Sequence, residues 1–307
     1  MSKRASFSRK SKLNRGTTLG RGFLGVAGVL ILLYGGAALW SRPVPDTPWQ
    51  TDGQPLVIAH QGGEKIWPSN TMYAFARAVE LGVDALEMDA HVTADGVLVL
   101  MHDDTVDRTT DGSGAIRDLT LAEIQALDAG YYWTDDDGAT FPFRGQGITV
   151  PTLESLFERF PDYLMNIEIK PAEAAAARQL CDLIRAYGKE EDILVASFHP
   201  VAMDAFRDAC PAVATSGVEG DIRLFYGLNL LFLGAAYQPG SSAFQVPEYS
   251  GNIHVLTGRF VRGAHQHNLA VHVWTVNETE DMQRFIDLGV DGIITDRPDR
   301  LLDLLGR

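Results

Sequence analysis

From Leu56 to Thr295, short β-branched or apolar runs recur, each followed by a stretch with helical spacing. Strands are expected at Leu56–Ala59, Ala85–Val92, Val97–Met101, Tyr163–Ile169, Ile193–Ser197, Val213–Ser216, Val271–Thr275 and Gly292–Thr295. Helices are expected at Thr71–Leu81, Leu121–Leu127, Leu153–Phe160, Ala172–Tyr187, Pro200–Asp208, Gly258–His267 and Glu280–Leu288. Cap signals open several of them, such as Asn70-Thr71, and Thr120 with Glu123 as a capping box. Strands that read as continuous apolar runs are buried on both faces, which calls for a parallel sheet with helices on either side. Eight of them fit an α/β fold of the closed (β/α)8 TIM-barrel kind; an open doubly wound sheet satisfies the same pattern. Two segments interrupt the alternation, Asp111 to Val150 and Asp221 to Gly251. The second holds Leu224 to Leu233, unusually apolar for a connection. It reads either as a buried helix of the barrel wall or as a surface that meets membrane or an acyl chain.

The N-terminal region is of another kind. Met1 to Arg42 carries eight Lys or Arg and no acid, which leaves 18 cations against 40 acids in the remainder, a balance of -22. A body so acidic repels nucleic acid and suits a site that gathers a divalent cation. Residues 22–40 are uncharged and long enough for a hydrocarbon core of ~20 residues, with Tyr34 and Trp40 placed as interfacial anchors. The expected division is a basic cytoplasmic tail over 1–21, a transmembrane helix over 22–40, a Pro-rich linker over 41–53 and one catalytic domain over 54–307. The positive-inside rule sets the N-terminus in the cytoplasm and the body outside it. A signal peptide cleaved near Gly36-Ala37-Ala38 is the alternative, and it too exports the body. Cys181 and Cys210 are too few for a disulfide scaffold. Two half-buried free thiols are expected, although an exported domain would let them pair.

Polar residues stand at the ends of the expected strands, where a barrel builds its active site. Glu87 and Asp89 are two apart on one strand and so share a face; Glu168 adds a third carboxylate from another. Three such groups together repel one another unless a cation sits among them, and an all-oxygen set favours Ca²⁺ or Mg²⁺. His60 and His102 supply imidazoles for general acid and base work. Lys170 offers a cation to a phosphate oxygen or a partner to Glu168 and Glu87, and Trp274 can wall the pocket. Read this way, the site performs metal-assisted hydrolysis of an anionic ester, without naming the ester.

These residues lie in runs that resemble the glycerophosphodiester phosphodiesterase family. The runs are Ile58-Ala-His-Gln-Gly-Gly-Glu64, Pro68-Ser-Asn-Thr71, Leu86-Glu-Met-Asp89, Thr93-Ala-Asp-Gly96, His102-Asp103 and Asp107-Arg-Thr-Thr110. Asn166-Ile-Glu-Ile-Lys170, Ser197-Phe198, Val273-Trp-Thr-Val-Asn277 and Gly292-Ile-Ile-Thr-Asp-Arg-Pro298 complete them. The resemblance implies a TIM barrel that hydrolyses glycerophosphodiesters to sn-glycerol 3-phosphate and an alcohol. It implies one Ca²⁺ or Mg²⁺ on Glu87, Asp89 and Glu168, catalysis by His60 and His102, and substrate contacts from Gln61, Lys170, Trp274 and Phe198. Gln61 departs from the family's usual Arg and offers a neutral amide in place of a planar cation; Ser69 replaces a usual Glu. Alternatives are a lysophospholipase D acting on membrane lysolipids, a phosphatidylinositol-cleaving lyase, and a barrel that binds phosphodiesters without turnover.

Overall fold

The computed structural model describes residue 28 and residues 32–307. The basic tail expected over 1–21, and most of the apolar segment over 22–40, lie outside the described residues. Residues 32–40 are helical, and no helix among the described residues is long and apolar enough to cross a membrane.

The strands in chain order are β1 (Leu56–Ala59), β2 (Ala85–Val92), β3 (Leu98–Leu100), β4 (Leu164–Ile169), β5 (Ile193–Ala196) and β6 (Ala214–Thr215). They continue with β7 (Ala243–Val246), β8 (Tyr249–Ser250), β9 (Ile253–His254), β10 (Ala270–Val273) and β11 (Gly292–Thr295). Eight of them pair in parallel in the order β6-β5-β4-β2-β1-β11-β10-β7. The ring closes between β6 and β7 through a parallel bridge, Ser216 to Ala243, and two backbone bonds, Ser242 N–H to Thr215 O (2.8 Å) and Gly217 N–H to Ala243 O (2.8 Å). The result is a (β/α)8 barrel.

The expected total of eight strands conceals two opposite errors. The run at Val97–Met101 is not a barrel strand: β3 folds back antiparallel on β2, pairing Ala90 with Leu100 and Val92 with Leu98. The physical cause is the short Thr93-Ala-Asp-Gly96 turn, with Gly96 at φ +80°, since a parallel return needs a crossover of a dozen residues or more. The missing barrel strand is β7, inside the apolar segment that interrupted the alternation.

That segment also yields the helix Glu219–Leu230, which lies on the barrel wall with Phe225 fully buried against Phe244 and Phe260 while Leu224 and Leu230 face outward. The reading as a helix of the barrel wall describes its buried face. The capping box at Thr120 and Glu123 is present, and Thr71 caps Met72–Leu81 by accepting from Ala74 N–H. Residues 99–150 form a satellite core around Val106, Ile116, Ile124 and Ile148. The helix Pro298–Leu305 was not anticipated, although Pro at its first position is a start signal.

Residues 41–51 do not stand off as a spacer. Val44 N–H donates to His267 O (2.9 Å), Gln50 Nε2 to Asn268 O (2.8 Å) and Thr51 N–H to Asp291 Oδ1 (3.0 Å). Trp49 is fully buried among Ala85, Ala214, Ala243 and Ala270, at the strand starts, and stoppers the end of the barrel opposite the site. The cysteines also depart from expectation: both are buried and joined as a Cys181–Cys210 disulfide, which ties the helix Ala174–Ala186 to the end of Pro200–Ala209.

Candidate active site

Along β2, Glu87 and Asp89 point to the same side, and β4 runs beside it in register, with Asp89 opposite Glu168. The three carboxylates thus meet at the C-terminal mouth of the barrel, each offering an oxygen within 4.8 Å of the others. Lys170 Nζ bridges two of them, 3.1 Å from Asp89 Oδ1 and 3.1 Å from Glu168 Oε1. Asn70 holds Asp89 at two points: its Nδ2 donates to Asp89 Oδ2 (2.9 Å) and its Oδ1 accepts from Asp89 N–H (3.2 Å).

Crowding and burial act on these acids. Burial, then the neighbouring Asp89, pushes Glu87 up to about 8, against the pull of His60. Burial likewise raises Glu168, with Lys170 opposing. Asn166 Oδ1, two residues before Glu168 on the same strand face, is buried without a partner. Three close carboxylates and an orphaned amide oxygen form an all-oxygen set that fits a hard divalent cation better than it fits no ligand at all.

His60 opens the turn after β1. Its Nδ1–H donates to Asp296 Oδ1 (2.6 Å), and its Nε2 lies 3.9 Å from Glu87 Oε2. Burial works against the imidazolium, but Glu87 and Asp296 outweigh it and raise its pKa to about 9. Asp296 is itself fixed by Asn277, whose Nδ2 donates to Oδ2 (2.7 Å) and whose Oδ1 accepts from Asp296 N–H (2.9 Å). His102 sits in the loop after β3, not at the end of a barrel strand. Met101 N–H donates to Asp89 O (3.0 Å) and draws that loop over the mouth. His102 Nδ1 pairs with Asp103 Oδ1 (2.9 Å), which Arg108 Nε holds from the other oxygen (2.7 Å).

A cleft of about 790 Å³ opens over this cluster, lined by His60, Glu87, His102, Glu168 and Lys170 at one end. Further along, Ile222, Tyr226, Ile253 and Val255 line it together with the Glu219–Arg223 ion pair. Phe198 and Trp274 meet edge to face on its wall, ring centres 5.9 Å apart. A second cavity, about 810 Å³, lies on the far side of Asp296 and contains none of the three carboxylates.

Of the anticipated residues, Asp89 and Gln61 do not line the cleft; both are buried, Asp89 beneath Lys170. The Gln61 backbone, at φ +52°, aims its N–H at Glu87 Oε2 (2.8 Å), and its side chain is buried with the amide nitrogen 3.4 Å from His60 Nε2. Asp296, Asn277 and Arg108 have no assigned role in the sequence reading, and Asn70, expected only as part of a helix cap, instead holds Asp89. Position at a strand end marked Asp296 and Asn277, but their link to His60 spans the whole chain.

Fold and cluster together define a (β/α)8-barrel hydrolase of anionic esters. Residues 60–300 match the Glycerophosphoryl diester phosphodiesterase family, and the chain belongs to that family. A glycerophosphodiester phosphodiesterase of Caldanaerobacter subterraneus subsp. tengcongensis is 36% identical over 259 residues, which is 81% of this chain and 97% of that protein. A human lysophospholipase D is 25% identical over 276 residues, 81% of this chain and 85% of its own. A crystal structure from Silicibacter pomeroyi superposes with a TM-score of 0.69 at 28% identity, covering 84% of this chain and 95% of that one. The protein is an enzyme, a glycerophosphodiester phosphodiesterase.

Proposed function

We propose that the chain hydrolyses glycerophosphodiesters to glycerol 3-phosphate and an alcohol by histidine acid–base catalysis on a cation-dependent site. The observation that carries this reading is one cleft lined by His60, His102, Lys170, Glu87 and Glu168, with Asp89 completing the carboxylate cluster at its floor beneath Lys170. Glu87, Asp89 and Glu168, with Asn166 Oδ1, would hold the cation, Ca²⁺ or Mg²⁺. Such an ion supplies charge neutralisation for the phosphodiester as it is attacked.

The protein's own groups do the rest. Lys170 steadies a non-bridging phosphate oxygen. His102 takes a proton from the attacking water as the water oxygen bonds to phosphorus. His60, held as a cation by Glu87 and Asp296, gives its proton to the oxygen of the departing alcohol as that P–O bond breaks. Trp274 and Phe198 wall the organic part of the substrate. Gln61 acts at His60 and Glu87, a different post from the phosphate contact expected of its side chain.

The test is release of glycerol 3-phosphate from glycerophosphocholine by the purified chain with Ca²⁺, Mg²⁺ or EDTA. Turnover that EDTA abolishes and one cation restores is expected. Absence of turnover with every cation would remove the proposal. A second reading, cleavage of lysophospholipids, has one observation in its favour: the apolar side chains Ile222, Tyr226, Ile253 and Val255 on the cleft wall. Choline release from lysophosphatidylcholine checks it.

The proposed location is outside the cytoplasm, on a membrane through the 22–40 segment. Its supports are the apolar run behind a basic tail and the disulfide, which belongs to oxidising compartments. Secretion after signal cleavage is the alternative, distinguished by the N-terminal residue of the mature chain.

A further inference from the structure

Acids are unevenly placed on this acidic protein. Of the 40 in the chain, only Glu248 falls among the 56 residues from Ile222 to Asn277, and none precedes Asp46. The fold brings these two acid-poor stretches together. The helix over 32–40 lies against residues 232–238: Tyr34 Oη donates to Phe232 O (3.3 Å), Gln238 Nε2 to Ala37 O (3.3 Å), and Ser41 Oγ to Tyr237 O (2.6 Å). Beside it stand the wall helices Glu219–Leu230 and Gly258–His265, joined by Asn229 Nδ2 donating to Arg259 O (3.0 Å).

Many of the large exposed apolar side chains belong to these elements, while Leu81, Tyr132, Phe198 and Val201 stand elsewhere. Leu231 (67% exposed) and Phe232 (79%) lie at the lower rim of this flank, Leu224 midway, and Tyr249 and Ile253 beside the mouth. Leu39 and Trp40 continue it on the 32–40 helix. The Arg259 guanidinium rests 3.7 Å above the Phe232 ring, and Arg42 and Arg262 are exposed nearby in sequence. Apolar tips interleaved with cations suit the boundary between acyl chains and headgroups, and the acids of these elements, Glu219, Asp221 and Glu248, are each paired with an arginine. The rest of the body, rich in carboxylates, is repelled by anionic lipid, so this flank alone can approach a bilayer closely.

We propose, on the reading of the 22–40 segment as a membrane anchor, that this flank docks on the bilayer surface. Leu231 and Phe232 enter the acyl boundary while Arg259 and Arg262 meet headgroups. The cleft is built in part on the same elements, through Ile222, Tyr226 and Ile253. Docking therefore sets its open side at headgroup level, where a single-chain glycerophosphodiester lies.

The experiment uses the full chain in phosphatidylcholine vesicles containing phosphatidylglycerol. Both native cysteines are bonded, so one introduced cysteine is the sole thiol for a fluorophore. Leu224→Cys, Phe232→Cys and Ile253→Cys sample the flank; Glu80→Cys, on the helix Met72–Leu81 across the barrel, is the control. Flotation with vesicles, and strong quenching by doxyl-lipid at the three flank labels but not at the control, is expected. A chain that does not float overturns the anchor reading and this one with it. A chain that floats while the flank labels are quenched only by aqueous iodide overturns the docking alone. Labels shielded from both quenchers identify a protein partner or second copy and also overturn it. Independently, a Leu231→Glu, Phe232→Glu variant should hydrolyse glycerophosphocholine unchanged and vesicle-borne lysophosphatidylcholine about fivefold more slowly or worse; equal rates on both would contradict the docking.

Discussion

Each histidine of the cleft has a carboxylate on its Nδ1, Asp296 for His60 and Asp103 for His102. That fixes the ring and leaves Nε2 as the working atom on the cleft side. His60→Ala or His102→Ala should lower kcat by about 10²-fold or more while cation binding, followed by calorimetry, is retained; full activity in either variant would remove it from proton transfer. Glu87→Gln should weaken the cation about tenfold or more, and an unchanged affinity would exclude Glu87 from the ligands. The carboxylate trio was legible because the strand period alone sets Glu87 and Asp89 on one face. The tie between His60 and Asp296 was not, because it joins residues 236 apart that only barrel closure makes neighbours.

At the scale of elements, the turn after β1 shows how local geometry serves the site. Gly62 has φ +81°, and a Cβ there would lie 2.9 Å from Ala74 Cβ. Gly62→Ala should therefore cost about 1–3 kcal/mol in stability by denaturant unfolding, with activity falling further as His60 is displaced. Sequence reading handled the long, well-capped helices and the buried strands β1, β2, β4, β5 and β11. It missed β7, whose four residues Ala-Phe-Gln-Val include a polar Gln245 and lie between Pro239-Gly-Ser-Ser242 and Pro247, punctuation that reads as loop. It also took β3 for a barrel strand, because an apolar run carries no label of parallel or antiparallel pairing; the tight Thr93–Gly96 turn held that information.

On the scale of the whole molecule, two ties act far from the chemistry. The Cys181–Cys210 bridge spans 29 residues, a loop worth about 3–4 kcal/mol in the chain-entropy account. A Cys181→Ser, Cys210→Ser variant should show a lower Tm by scanning calorimetry, and dithiothreitol should reproduce that in the natural chain alone. At the stoppered end, His272 is fully buried and donates from Nε2 to Trp49 O (3.0 Å). Burial is the chief cause of its lowered pKa, so it stays neutral in the folded state while the unfolded imidazole protonates. Its contribution is whole above the ordinary value of 6.5 and is lost as pH falls below it. His272→Gln should flatten the stability-versus-pH curve on that acid side; an unaltered slope would show that His272 does not set it.

The order of residues was enough to mark a parallel α/β fold and to set Glu87 and Asp89 on one strand face, because periods of two and 3.6 residues are local properties. Only the folded chain shows which strands close the ring, that the 41–51 segment stoppers it, that the cysteines pair, and that Gln61 is buried against His60 and Glu87. Each of those depends on which distant residues are brought side by side, and pairing across a closed sheet leaves no local mark in the order of the chain.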